Sequence, residues 1–340
     1  MEEKKAAMRR EVLLIATGGT IVSPKKGGSA APDAGASRDL LSRAEGFFRS
    51  CGFSVKIVRP FGSAGIDSSD MGPVQWVKLA KEISGALSDN LQGILITHGT
   101  DTMAYTAAWL SIFFSGLGIP IILTGSQKSP DEVPFDGDAN LMGAARMVIE
   151  GISGVYIYFN WRLFNGFCAH KRDSQNIDAF CEYGYGRVGL CAEKPGSRGR
   201  PFDLPARYEL ILRASEEEII SASRRIAICF VLPGFSPKLS GDEDILIIVG
   251  FGAGNIPESY HREILEKYKQ SNKPCVIACS QAEEGQREPW VYRNVGIGCL
   301  ENRGFTVFRQ RMTLEFVTAA AYFAVLAPVN TKDAVAAFFM

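Results

Sequence analysis

The sequence predicts an α/β protein: a parallel-sheet N-terminal domain followed by a smaller α/β domain. Three observations carry this expectation. Short β-rich apolar runs alternate with helix-like segments, the pattern of βαβ units in a sheet covered on both faces. Three of those runs stop at a glycine turn that bears hydroxyl side chains. The alternation dissolves once, between Gly184 and Pro205, in a stretch rich in Gly, Pro and Arg that reads as an interdomain connection, and then resumes.

The first domain runs as strand EVLLIA, helix DLLSRAEGFFRSCG, strand SVKIVRP, helix GPVQWVKLAKEISGALSDN, strand GILITHGTD, helix AYTAAWLSIFFSG and strand IPIILTGSQ. A helix ANLMGAARMVIEG and a strand GVYIYFN complete it. Beyond the break come RRIAICFVLPG, DILIIVGFGAGNIP, the helix ESYHREILEKYKQSN, KPCVIACS and a helix-like stretch from Thr313. These predict a second domain of flavodoxin- or Rossmann-like type. The division expected is residues 1–190 for the first domain, 191–218 for a linker and 219–340 for the second, with no internal repeat.

The chain's 340 residues, 46% of them apolar, suffice for two cores. Thirty-seven basic residues balance 37 acidic ones, so neither a nucleic-acid surface nor a polybasic membrane patch is expected, and a small-molecule partner is. The first apolar run, Val12 to Ala16, is too short for a secretory signal, which predicts a cytoplasmic protein. The run Ala319 to Ala327 is too short to span a membrane and ends at Pro328. Eight cysteines without CxxC pairs read as buried structural thiols. His98, His170 and His261 lack metal-ligand spacing, so no metal is expected.

The three glycine turns are TGGT (17–20), THGTDT (97–102) and TGSQ (124–127). Following parallel strands, they share one sheet edge and can line a single pocket of backbone N–H groups and hydroxyls suited to an anion or a developing oxyanion. Thr20 is by itself a helix cap, a phosphate ligand or a nucleophile, and Asp101 reads equally as the N-cap of the next helix. Lys171 in AHKRDS reads on its own as a solvated surface charge. The segment SPKKGGSAAPDAGAS, Ser23 to Ser37, has little to bury and should be mobile, as a lid over Thr20 or as a plain surface loop. Gly250, Gly252 and Gly254 give GxGxG, which is not the GxGxxG of a dinucleotide loop, so no nucleotide cofactor is expected.

ATGGTI, ITHGTDTMAYTA, LTGSQ, DGDANL, HKRDSQNIDAF and GFGAGNIP, in that order over nearly the whole chain, resemble the motifs of the bacterial-type L-asparaginase family, whose cytoplasmic (type I) members lack a signal peptide. The resemblance implies an amidohydrolase that cleaves the side-chain amide of L-asparagine through a threonine acyl-enzyme. It implies Thr20 as nucleophile, a Thr100, Asp101 and Lys171 triad in which lysine is the base through the threonine hydroxyl, and substrate contacts from Gly19, Ser68, Ser69, Gly99, Asp101 and Asn255. In the family the residue matching Asn255 reaches a neighbouring subunit's site, which implies a homodimer or homotetramer. An alcohol needs a neighbouring base to attack. A lysine serves as one when desolvation or cationic neighbours oppose its charge; Arg172 is such a neighbour, while Asp101 acts the other way.

The chain departs from the family pattern at the loop tyrosine, which is replaced near Ser29 and Ala30 with no Tyr before Tyr105, and at DMT, which is RMT at Arg311 to Thr313. Glu283, Glu284 and Glu288 all compete for the place of the glutamate that relatives bring from the second domain. The competing expectations are a non-catalytic Asn/Gln sensor, an amidase subunit of a glutaminyl-tRNA amidotransferase, whose usual N-terminal module has no room before residue 17, and a nicotinamide-dependent oxidoreductase.

Overall fold

A computed structural model describes residues 10–27, 29–183, 204–269, 272–282, 296–309, 312–327 and 329–339. The chain divides into two units, Met1–Cys181 and Glu182–Met340.

The first unit begins with β1 (Glu11–Ala16), buried along all but its first residue. Such a strand reads Val-Leu-Leu-Ile without alternation because both faces are covered. A hairpin of β2 (Lys25–Lys26) and β3 (Ser29–Ala30) precedes α1 (Ala34–Ser50), then β4 (Ser54–Val58), α2 (Pro73–Ala86), β5 (Leu91–Thr97), α3 (Met103–Phe113), β6 (Pro120–Thr124), α4 (Gly137–Glu150), β7 (Gly154–Phe159), β8 (Arg162–Asn165), β9 (Ala169–Lys171) and β10 (Phe180–Glu182). Six strands form one sheet in the order β4-β1-β5-β6-β7-β8, parallel except for the last pair. Leu14 lies beside Ile57 on one side and Leu95 on the other, which fixes the register of its centre.

The order β4-β1-β5 means that the chain leaves β1 in one direction and resumes on its other flank. At such a reversal the loops after the two inner strands part, and a crevice opens at the sheet's C-terminal edge. One face of the sheet packs on α1 and α4, in a core that includes Val12, Leu14, Phe48, Leu95, Ile122 and Leu141. Each such side chain contributes roughly 1.5 to 3 kcal/mol by leaving water. α3 is buried at every position but Tyr105, and its Trp109 stacks on Trp76 of α2 with ring centroids 5.7 Å apart.

Two segments differ from the sequence expectation. Ser23 to Ser37 contains the β2–β3 hairpin, tied by Lys25 to Asp131 (3.1 Å) and Glu132 (2.9 Å), and its last residues already belong to α1. The helix starts five residues before the expected DLLSR because Asp33 caps it, accepting from the N–H groups of Gly35 and Ala36. In the expected linker, the described part carries α5 (Leu204–Arg213) and the start of α6 (Glu216–Ser223), the latter opened by a Ser215–Glu218 capping box.

The second unit contains β11 (Ile226–Phe230), β12 (Ile245–Gly250), α7 (Glu258–Lys267), β13 (Cys275–Ser280), α8 (Gly298–Glu301), β14 (Thr306–Arg309), α9 (Leu314–Leu326) and α10 (Thr331–Phe339). Its four parallel strands follow sequence order, with no reversal. Arg225 binds this unit's end together, donating to Asp244, to the carbonyl of Val325 (3.0 Å) and to Thr331 (3.2 Å). The apolar run from Ala319 to Leu326 belongs to α9, with Ala327 as its C-cap; the helix is buried nearly all round, as its uniform hydrophobicity requires. Among the described residues no helix is long and apolar enough to cross a membrane.

Candidate active site

The turn after β1 is built by close backbone approach. Thr17 donates through Oγ1 to the carbonyl of Thr97 (2.9 Å), and Gly19 N–H donates to the carbonyl of Ile66 (3.1 Å). Gly19 has φ 87°, and a Cβ there would fall 2.3 Å from the Cα of Gly99. Gly99 in turn leaves no room for a side chain, because its own Cβ would sit 2.4 Å from Ser68 Oγ. Glycine at both positions therefore lets the loops after β1, β4 and β5 touch at the reversal. Thr20 follows at once, half-buried at the start of a 3-10 turn (Thr20–Val22) that has no side-chain cap.

The loop after β5 is held from beneath by His98, which is fully buried. Trp76 Nε1–H donates to Thr106 Oγ1 (3.1 Å), and His98 Nε2 lies 2.9 Å from the same hydroxyl. The Thr106 hydroxyl then donates to Nε2, which leaves Nδ1–H to donate to the carbonyl of Gly99 at 2.7 Å. Burial drives the imidazole down to about 4, so the ring is neutral. Sequence reasoning weighed His98 as a metal ligand only. Its place under Gly99 is a tertiary fact.

Lys171, at the end of β9, reaches across to this loop. Its Nζ lies 2.7 Å from Thr100 Oγ1 and 2.6 Å from Asp101 Oδ1. Thr100 is buried, and the lysine side chain is 14% exposed while that of Asp101 is 62% exposed. The surface-charge reading of Lys171 is thus corrected: the β9–β10 pair turns it inward. The N-cap of α3 is Thr102, whose hydroxyl donates to the carbonyl of Ser68 (2.6 Å), and Asp101 pairs with Lys171 instead. Arg172 pairs with Asp178.

Gln127 of the third turn joins the cluster, accepting from Thr100 Oγ1 at 3.1 Å. Asp136 and Asn140, from DGDANL, hold that turn: Asp136 accepts from the N–H groups of Gln127 (2.9 Å) and Lys128 (3.0 Å), and Asn140 donates to the carbonyl of Gly125 (3.0 Å). Ser68 is buried and Ser69 exposed on the 3-10 turn Ser68–Asp70, whose cap Asp67 accepts from Ser69 N–H at 2.8 Å.

Asn255 belongs to the second unit. There Phe251 and Asn255 exchange backbone hydrogen bonds (2.9 and 2.8 Å), and Asn255 Oδ1 is buried without a hydrogen-bond partner among the described residues. Glu283, Glu284, Glu288 and Arg311 lie outside the described residues. Among the described residues no group of three His, Cys, Asp or Glu is placed to hold a metal ion. A cavity of about 780 Å³ between α7 and α8 is lined by none of the site residues named here.

Fold and cluster define an α/β protein with a threonine–aspartate–lysine site at the switch point of a parallel sheet. The family profile "Asparaginase, N-terminal" matches residues 11–198. An L-asparaginase of Dirofilaria immitis is 32% identical over 236 residues, covering 65% of this chain and 38% of that protein. A glutamyl-tRNA(Gln) amidotransferase subunit of Pyrococcus abyssi is 36% identical over 289 residues, covering 80% and 62%. The chain therefore spans about two fifths and three fifths of the lengths of these two relatives. The thermostable L-asparaginase from Thermococcus kodakarensis has a similar fold, with a TM-score of 0.75 at 24% identity over 96% of both chains. So does a probable cytoplasmic L-asparaginase from Campylobacter jejuni, with a TM-score of 0.72 at 21% identity over 97% of this chain and 99% of that one. The chain belongs to the asparaginase family.

Proposed function

We propose that this protein hydrolyses the side-chain amide of L-asparagine to L-aspartate and ammonia, with Thr20 as nucleophile. The observation that carries the reading is the contact of Lys171 Nζ with both Thr100 Oγ1 and Asp101 Oδ1. A pocket that only binds an amino acid needs the carboxylate but not a lysine against a buried hydroxyl.

Thr20 Oγ bonds to the amide carbon as its proton passes to Thr100 Oγ1 and the Thr100 proton passes to neutral Lys171 Nζ. The tetrahedral intermediate collapses, and the amine leaves as ammonia with the proton returned along the same path. Water then attacks the ester by the same relay and frees aspartate and the Thr20 hydroxyl. Backbone N–H groups at this sheet edge stabilise the oxyanion. Asp101, largely exposed, offers its remaining lone pairs to the substrate's α-ammonium, and Ser69 its hydroxyl to the α-carboxylate, with Gly19, Ser68 and Gly99 shaping the floor. The protein works in the cytoplasm as a homodimer or homotetramer, with Asn255 completing a neighbour's site.

A second reading is supported by the 36% identity to an amidotransferase subunit: the same chemistry releases ammonia from glutamine for a partner enzyme. One methylene separates the two substrates, worth about 1 to 3 kcal/mol. Ammonia release is measured with L-asparagine and L-glutamine, for wild type and Thr20→Ala. Release from asparagine that falls at least about 10³-fold in Thr20→Ala supports the first reading. Release from glutamine alone favours the second, and Thr20-independent release overturns both.

A further inference from the structure

Gln127 has no part in the chemistry above, yet it touches its central hydroxyl. Its Nε2 donates to the carbonyls of Asp173 (3.3 Å) and Asn176 (3.1 Å), in the loop that follows Lys171. With both amide hydrogens so engaged, Oε1 must be the atom that faces Thr100 Oγ1, since the flipped amide would set an oxygen against two carbonyls. Thr100 Oγ1 has one proton and two lone pairs. A charged Lys171 occupies one lone pair and cannot accept, so the proton goes to Gln127 and the second lone pair is left for the nucleophile.

We infer that Gln127 is a positioning residue: it sets the direction of the Thr100 hydroxyl and fixes the loop that follows Lys171, so that one proton has two acceptors in reach, the amide oxygen and the lysine nitrogen. This rests on the amidohydrolase reading. Thr100 is kept as an acceptor toward the nucleophile until Lys171 is neutral. The proton then turns about the Cβ–Oγ1 bond to the lysine, with no movement of a heavy atom. The backbone of Gln127, anchored by Asp136, keeps the amide in place through both states.

Two variants test it. Gln127→Met keeps length but neither donates nor accepts; kcat should fall about tenfold or more while KM stays within about threefold, at every pH. Gln127→Glu can imitate the amide only when protonated, with O–H toward a carbonyl and C=O toward Thr100. Its kcat relative to wild type should therefore decline as pH rises from about 5 to about 8. A purely structural role would lower the melting temperature and leave the Gln127→Glu ratio flat in pH. The inference is overturned if Gln127→Met keeps kcat within about twofold of wild type, or if the Gln127→Glu ratio does not move with pH. A wild-type protein that releases no ammonia from either amide overturns the reaction itself, and is told apart from both of those results.

Discussion

Two largely parallel sheets in this chain each send a glycine-rich loop from an inner strand, and only one of those loops gathers chemistry. In the first unit the strand order reverses between β1 and β5, so the loops after them part and their glycines meet across the gap, Gly19 against Gly99. In the second unit strand order follows sequence, and the loop after β12 folds back on its own strand end. Phe251 and Asn255 exchange hydrogen bonds, and a Cβ at Gly250 would lie 2.6 Å from Gly254. Glycine permits close approach in both places. Both loops touch a neighbour, since Asn255 also pairs with Gly296 and Ser280 Oγ donates to the carbonyl of Gly252, but only at the reversal do two glycine turns with hydroxyl side chains face each other.

The largest expected effect is on Lys171. Lys171→Met should reduce ammonia release by about 10³-fold or more with little change in melting temperature, because the side chain is lost from the cluster and not from a core. A loss below tenfold would detach the cluster from the reaction.

Glycine substitutions sharpen the comparison directly. Gly19→Ala forces a Cβ to 2.3 Å from the Gly99 backbone at φ 87°, and neither backbone can yield, so roughly 3 kcal/mol or more of stability should go, along with activity. Gly252→Ala, at φ 46° with no atom within 4 Å, should cost only about 1 kcal/mol for the left-handed conformation. Urea midpoints measure both, and equal losses would erase the distinction between the two loops.

Acid separates the units more gently. The folded-state pKa of His98 lies below its unfolded 6.5, so the unfolded chain takes the proton first. The first unit should lose up to roughly 3 kcal/mol as pH falls from 6.5 to about 4. In the second unit burial alone would raise Glu243, but the Tyr268 hydroxyl and the N–H groups of Ser240 and Gly241 outweigh it and bring it to about 2. Its contribution is held above 4.5 and lost as pH falls toward 2. His261 is lowered as well, by burial first, and adds to the earlier phase. Urea unfolding is followed by tryptophan fluorescence, to which the first unit contributes three of the four residues, Trp76, Trp109 and Trp161, and the second unit Trp290. The midpoint should drop between pH 7 and pH 5, and a constant one would mean that His98 is not held neutral.

Alternation of apolar runs, glycine stops and hydroxyls is written in the chain because each is a local demand: a strand covered on both faces, a turn with positive φ, a side chain left at a sheet edge. These determined the α/β class, the three loops and, through motif resemblance, the expectation for Thr20, Thr100, Asp101 and Lys171. Short strands such as Ala169–Lys171 were not legible, since three residues carry no period and their pairing partner lies about ten residues on. Lys171 therefore read as surface, and only the β9–β10 pair turns it inward. His98 and Gln127 stood within recognisable motifs, but their work depends on distances to Gly99, Thr100 and the carbonyls of Asp173 and Asn176, residues up to 49 positions away. Local chemistry sets which atoms can bond. Only the sheet order, which closes long loops, sets which of them meet.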